Sequence, residues 1–225
     1  MEWIQSHLGR SAEWTDWLYG AGGAACICGT WRGQGRFRIR WIGVLVLCLF
    51  PLVWEGAMVR MEIRAFPVLA DPGATWSRRG WTLNGVRISA LPREDFRIVS
   101  GSKAAKEQPA SNPGAFRAPI CSDWSRMEAF HTKIFWPASP PAVLAVRVDD
   151  RPGNPPYADR FQREFAVTQG WNAVCIPAHE LGKTSGGRPL RLGTIRKWGV
   201  FLVSDMPFDY FLLGEVRLTL HQEPP

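Results

Sequence analysis

Hydrophobic and polar positions along this chain follow two regimes. Residues 41–54, WIGVLVLCLFPLVW, carry no charge, and extending the run to Val59 adds only Glu55. That pattern predicts a helix over about 41–59, long enough to cross a bilayer, with Pro51 tolerated inside it and Trp41 and Trp54 as interfacial anchors. Upstream, WTDWLYGAGGAACICGTW is a second apolar stretch, rich in Gly and Ala. It predicts a helix over about 12–31 whose small residues suit packing against another helix. The main apolar run begins about forty residues in, with no clean small-residue cleavage site after it, which argues against a signal peptide.

From RAFPVLAD onward the period falls to two. Trp81 and Leu83 alternate into Asn84-Gly85, and Val86 and Ile88 alternate out, which predicts a hairpin with a type I′ turn. Phe130, Thr132, Ile134 and Trp136 share one face, as do Leu144, Val146 and Val148. RFQREFAV alternates Phe161, Arg163, Phe165 and Val167, while GWNAVCIP and WGVFLVS are further short runs. In LLGEVRLTL, Leu212, Val216, Leu218 and Leu220 are expected inward and Glu215, Arg217 and Thr219 outward. Gly214 then marks a bulge or a close backbone approach. Residues 101–119 and the segment IPAHELGKTSGGRPL have no apolar period and read as surface loops. Short strands between turn signals predict an all-β two-sheet sandwich.

Composition changes this picture little. The formal charge is +7 and there are 12 Trp and 18 Pro in 225 residues. The arginines are dispersed, and no basic helix or aromatic RNA-binding signature appears, so nucleic acid is not an expected partner. Charge does set an expected topology. Arg32, Arg36, Arg38 and Arg40 lie between the two apolar stretches, whereas the far flank has Arg60 and Arg64 with Glu62 between them. The positive-inside rule puts the short loop in the cytoplasm and everything after residue 60 outside. Residues 1–64 are then a membrane segment in the bilayer, and residues 65–225 an extracytoplasmic domain. Cys26, Cys28 and Cys48 read as small apolar packing residues. Cys121 and Cys175 would be able to bridge if their strands are neighbours.

Recognisable catalytic patterns fail on inspection. HELGK at His179 has Lys183 where a second zinc-binding histidine is needed, and Pro177 stands where a P-loop needs a glycine before Gly182-Lys183-Thr184. No G-x-S-x-G elbow occurs. The stretch with most chemistry is LAVRVDDRPGNPPYADRFQREFAV, residues 144–167. There Asp149 and Asp150 close one strand, and Tyr157, Asp159 and Arg160 open the next. Aromatic faces and planar polar groups are what sugar recognition needs, and Trp171 and Asn172 are candidates to join them. The alternative is structural: strand-end capping, an ion pair between Asp159 and Arg160, and core packing for Trp171 and Trp124. Paired carboxylates need a cation close by, for which Arg147, Arg151 and Arg160 are available.

Two resemblances follow from these residues. GRSAEWTDWLYGAGGA is similar to the last-helix region of VanZ-like membrane proteins, with Gly9, Arg10, Asp16 and Gly23 matching and Gly20 and Ile27 departing. The earlier helices are missing, so residues 1–64 look like a remnant of such a bundle. The order FPVLAD, CSDWSRMEAF, LAVRVDD, QGWNAVCIP, LGTIRKWGVFL, LLGEVRLTL, over about residues 66–220, resembles a galactose-binding-like, carbohydrate-binding-module-like jelly roll. That resemblance implies a structural calcium between first and last strands, held here by Asp71 and Glu215, although Pro72 and Gly73 depart from the pattern. The expectation is a membrane-anchored, non-catalytic bacterial envelope protein binding glycan or another cell-wall component, without other cofactors. The alternatives are an assembly role through protein contacts and an uncharacterised envelope enzyme.

Overall fold

A computed structural model describes residues 36–90, 95–100, 112–203 and 207–221, without the side chains of residues 36–48, 51 and 90. The chain divides into two compact units, Met1–Met61 and Glu62–Pro225. Helix α1 runs over Arg36–Ala65. In its first unit Leu49, Phe50, Leu52 and Val53 are exposed, and Phe50 stacks on Trp54 one turn later, with ring centroids 6.1 Å apart. No helix among the described residues is long and apolar enough to cross a membrane. The side chains of residues 41–48 and 51 of the expected 41–59 span lie outside the described residues. So do the whole of the expected 12–31 helix and the motif at residues 9–23.

The second unit is a sandwich of two antiparallel sheets. The larger holds β1 (Val68–Ala70), β12 (Val216–Leu220), β6 (Met127–Trp136), β11 (Tyr210–Leu213), β4 (Phe96–Ser100) and β3 (Val86–Ala90), with β9 (Gly170–Pro177) along the other edge of β6. The smaller runs β2 (Trp81–Asn84), β5 (Gly114–Arg117), β10 (Lys197–Leu202), β7 (Ala142–Asp149), β8 (Phe161–Val167). A short helix α2, Ala178–Leu181, follows β9. Successive residues of a strand face opposite sides, so Phe130, Ile134 and Trp136 from β6 meet Leu144, Val146 and Val148 from β7 in one buried core. Trp124, Trp136 and Trp198 are almost wholly buried, and burying each side chain contributes, as an upper bound, about 4 to 6 kcal/mol. Rings carry the contact between layers: Trp198 lies edge-on to Trp81 at 5.4 Å and to Phe130 at 6.1 Å.

The two-sheet sandwich is as the alternation predicts, with four local differences. Asn84-Gly85 does not make a hairpin, because β2 pairs with β5 and β3 with β4, in different sheets. Gly85 alone takes a positive φ, +63°, whereas a type I′ turn needs two such residues. The dipeptide is a corner that sends the chain from one layer to the other. Residues 114–117, inside the expected loop 101–119, form the buried strand β5. LLGEVRLTL is broken into two strands, so that Phe211 and Leu213, not Leu212, face the core. Gly214 sits at the break as a close approach: its N–H donates to the Lys133 carbonyl, and an added Cβ would lie 2.5 Å from the Lys133 side chain. Cys121 and Cys175 are free thiols, Cys175 exposed on β9, and do not bridge.

Candidate ligand-binding site

The two carboxylates that close β7 point to different partners, because neighbours on a strand face opposite ways. Asp149 is fully buried on the side away from the core, where Arg147, two residues earlier, shares its face. Arg147 Nε donates to both Asp149 oxygens at 2.9 and 3.0 Å, and Nη2 lies 2.8 Å from Oδ2. Nη2 also donates to Asn154 Oδ1 at 2.8 Å. Asp150 receives a bidentate fork from Arg188, with Nη1 and Nη2 each at 2.8 Å, and a third bond from the Arg191 N–H at 2.9 Å. This fork, more than the backbone bond, holds its carboxyl below the usual carboxylate range against the opposing effect of burial. The same fork pushes Arg188 upward.

Arg188 also donates Nε to Asp159 Oδ1 at 3.2 Å and Nη2 to the Asp159 carbonyl at 2.9 Å. Arg151 takes the other Asp159 oxygen at 2.8 Å. The expected pair between Asp159 and Arg160 therefore does not form; Arg151 and Arg188 outcompete it. One guanidinium from the 183–191 loop ties together both ends of the single loop, residues 150–160, that joins β7 to β8. That leaves Asp149, Asp150 and Asp159 saturated by arginines, and none has a histidine among its hydrogen-bond partners. The paired acids are a clamp.

Tyr157 and Arg160 stand beside the clamp without being consumed by it. Tyr157 opens a single 3-10 turn, Tyr157–Asp159, and is 55 % exposed. The Arg160 guanidinium carbon lies 5.6 Å from its ring centroid, a cation–π contact that leaves the other ring face open. On the neighbouring strand, Lys197 of β10 pairs in register with Asp149. Its Nζ lies 5.4 Å from the Phe116 ring centroid, and the Arg147 guanidinium 5.9 Å from the same ring. Burial first, and then Arg147, hold both Lys197 and Arg160 below their ordinary values.

Trp171 and Asn172 do not join this group. They begin β9, paired with Phe135 and Ile134 at the far end of β6, whereas the loop of acids leaves the opposite end of the sandwich after Asp149. A seven- to eight-residue strand separates the two ends by about 20 Å or more. Asn172 closes the turn before β9, accepting from the Thr168 N–H at 3.0 Å and donating to the Thr168 carbonyl at 2.8 Å. Trp171 is 48 % exposed, edge-on to Phe135 at 5.4 Å, with Lys133 Nζ 4.4 Å from its ring. Core packing, one reading for both tryptophans, holds for Trp124 alone. A cleft of about 400 Å³ lies at this far end, lined by Trp136, Phe208 and Tyr210 among others, away from the acids.

Asp71 and Glu215 come together as the resemblance implies, following β1 and preceding β12 next to the pair Ala70 and Val216. The set nevertheless does not fit calcium, which takes six to eight oxygens. Asp71 Oδ1 already accepts the Gly73 N–H at 2.8 Å, Glu215 lies 3.8 Å from Arg217, and no group of three or more His, Cys, Asp or Glu able to hold a metal occurs among the described residues. Sequence reading overlooked Arg188 and Lys197: Arg188 lies in a segment read as a surface loop, Lys197 in the run LGTIRKWGVFL read only as a strand signal, and both reach the site only through the fold.

No protein-family model matches the chain, and no curated protein matches it. Among solved structures, the agarase AgWH50C superposes with a TM-score of 0.51 at 13% identity, over 69% of this chain and 26% of that one. An exo-beta-agarase gives 0.50 at 18% identity, over 70% and 25%. The family 11 carbohydrate-binding module of a Clostridium thermocellum cellulosomal cellulase gives 0.46 at 13% identity, over 70% and 95%. The chain spans about a quarter of the length of the agarases it matches. The likeness is one of fold, a jelly-roll β-sandwich.

Proposed function

We propose that the β-sandwich is a non-catalytic glycan-binding domain, carried on the outer side of a membrane by the N-terminal segment. The observation that carries this reading is Tyr157. An exposed aromatic ring, held on a short rigid turn between clamped loops, offers a flat apolar face beside planar donors, which is the surface a sugar ring stacks on. The two agarases that share the fold favour carbohydrate as the ligand class. The charge-free run 41–54, and the exposed side chains of Leu49, Phe50, Leu52 and Val53, favour a membrane address.

Affinity electrophoresis of the full chain against a panel of polysaccharides and cell-wall fractions tests the binding role. At least one is expected to retard the protein, and Tyr157→Ala is expected to weaken that retardation by about tenfold, the loss of one stacking platform. Retardation by none of them overturns the reading. For the address, alkaline phosphatase fused after Pro225 is expected to be active; an inactive fusion places the domain in the cytoplasm.

A further inference from the structure

The glycan reading leaves open which chemistry the site selects, and the balance of charge around Tyr157 bears on it. Three cations, Arg147, Arg160 and Lys197, surround one carboxylate, Asp149. That carboxylate is fully buried, and Arg147 occupies both of its oxygens. Asp150 and Asp159, the other acids nearby, are held by Arg188 and Arg151.

Arg160 and Lys197 are left over. Among the described residues the Arg160 guanidinium meets the Tyr157 ring and the charge of Asp149, whose oxygens Arg147 already occupies, and its Nε is buried without a hydrogen-bond partner. Lys197 Nζ has one long bond, 3.4 Å to the Gly153 carbonyl, and the face of Phe116. Neither cation has a hydrogen-bonded carboxylate of its own, and an oxyanion brought by a ligand to the accessible ends of both would supply one. Burial disfavours the bare charge on both groups, and an anion beside them would offset that cost.

Resting on the glycan reading above, we infer that the site selects an anionic glycan, whose sugar ring stacks on the open face of Tyr157 while its carboxylate or sulfate group bridges Arg160 and Lys197. Arg147, locked by Asp149, supplies a fixed positive background and need not touch the ligand. Uronate and sulfate esters present the same chemistry here, a planar or tetrahedral oxyanion on the ring edge, and both suit a guanidinium–ammonium pair.

The test titrates the full chain with polygalacturonate, a sulfated galactan, neutral agarose and a mixed-linkage β-glucan, with duplex DNA as a polyanion lacking the pyranose ring. At least one acidic polysaccharide is expected to bind at least tenfold more tightly than both neutral ones, and the tighter of the acidic two identifies carboxylate or sulfate. Arg160→Gln and Lys197→Gln are each expected to lose about tenfold or more of that affinity, since each removes a charge-assisted bond. Raising the salt is expected to weaken it further. Both variants should melt with the parent chain, because neither side chain holds a protein carboxylate. Binding of a neutral glycan as tightly as the acidic ones, unaffected by either substitution, overturns the anionic selectivity and leaves the glycan reading standing. Equal binding of DNA overturns it as well, showing indiscriminate polyanion attraction. Failure to bind any polysaccharide overturns both.

Discussion

Arg188 decides more of this structure than any other single side chain outside the core. Its guanidinium is divided between Asp150 and Asp159, so truncating it strands Asp150, whose side chain is almost fully buried. Removing one partner of a buried pair leaves an uncompensated charge, and Arg188→Ala is expected to destabilise the fold by about 3 kcal/mol in urea unfolding. Acid acts on the same contact. The folded Asp150 carboxyl titrates below the ordinary unfolded value of about 3.9. The clamp's contribution is therefore complete above that pH and drains away as pH falls through the folded value. Asp150→Asn is expected to flatten the fall in melting temperature below about pH 4, trading that acid sensitivity for a lower plateau at neutral pH. The carboxylates were legible in the sequence because they adjoin. Their partner was not, because Arg188 lies 38 residues from Asp150 in a loop without periodicity.

At the scale of elements, the pairing of β5 with β10 explains why one strand was missed. Gly114 sits opposite Phe201 and Gly199 opposite Phe116. The two rings stack with centroids 5.9 Å apart; the Phe116 ring lies over Gly199, while Gly114 is pressed against the Cβ and backbone of Phe201. Glycine weakens an isolated strand, and in the run Asn112-Pro113-Gly114-Ala115 it reads as loop. Here Gly114 lets the facing strand approach to where an added Cβ would lie 2.5 Å from the Phe201 Cα and the Val200 carbonyl oxygen. An added Cβ on Gly199 would lie 2.3 Å from Phe116 Cδ1 and 2.7 Å from the Ala115 carbonyl oxygen. The ring can turn aside but the backbone cannot, so Gly199→Ala is expected to cost about 1 to 3 kcal/mol, read from the shift in urea midpoint. Strands β6 and β7 were readable for the converse reason. Each presents a run of large apolar residues at every second position to the core, as Phe130, Ile134, Leu144 and Val146 show. The Asn84-Gly85 corner misled because a local turn signal records the backbone angle of Gly85 and says nothing of which sheet the next strand enters.

For the molecule as a whole, the closing strand matters most. β1 and β12 pair directly, so the last strand completes the larger sheet beside the first. If a cation stapled them, a chelator would loosen the fold. Asp71 is instead tied to Gly73, and Asp71 N–H donates to Ser77 Oγ at 2.8 Å. Excess EDTA is therefore expected to leave the melting temperature of the full chain unchanged; a fall of several degrees restored by calcium would contradict that. The position of this staple was legible through the order of motifs, since Asp71 and Glu215 do become neighbours. Its ligand count was not, because oxygens supplied by other segments are visible only in three dimensions.

That adjacency has an architectural corollary. A module whose doorway and exit share one side can be spliced into the loop of a host protein with little parting of the host's backbone. The loops around Tyr157 belong to the other sheet, free of that seam. Grafting the sandwich into another chain through its larger sheet would thus leave the loops around Tyr157 undisturbed.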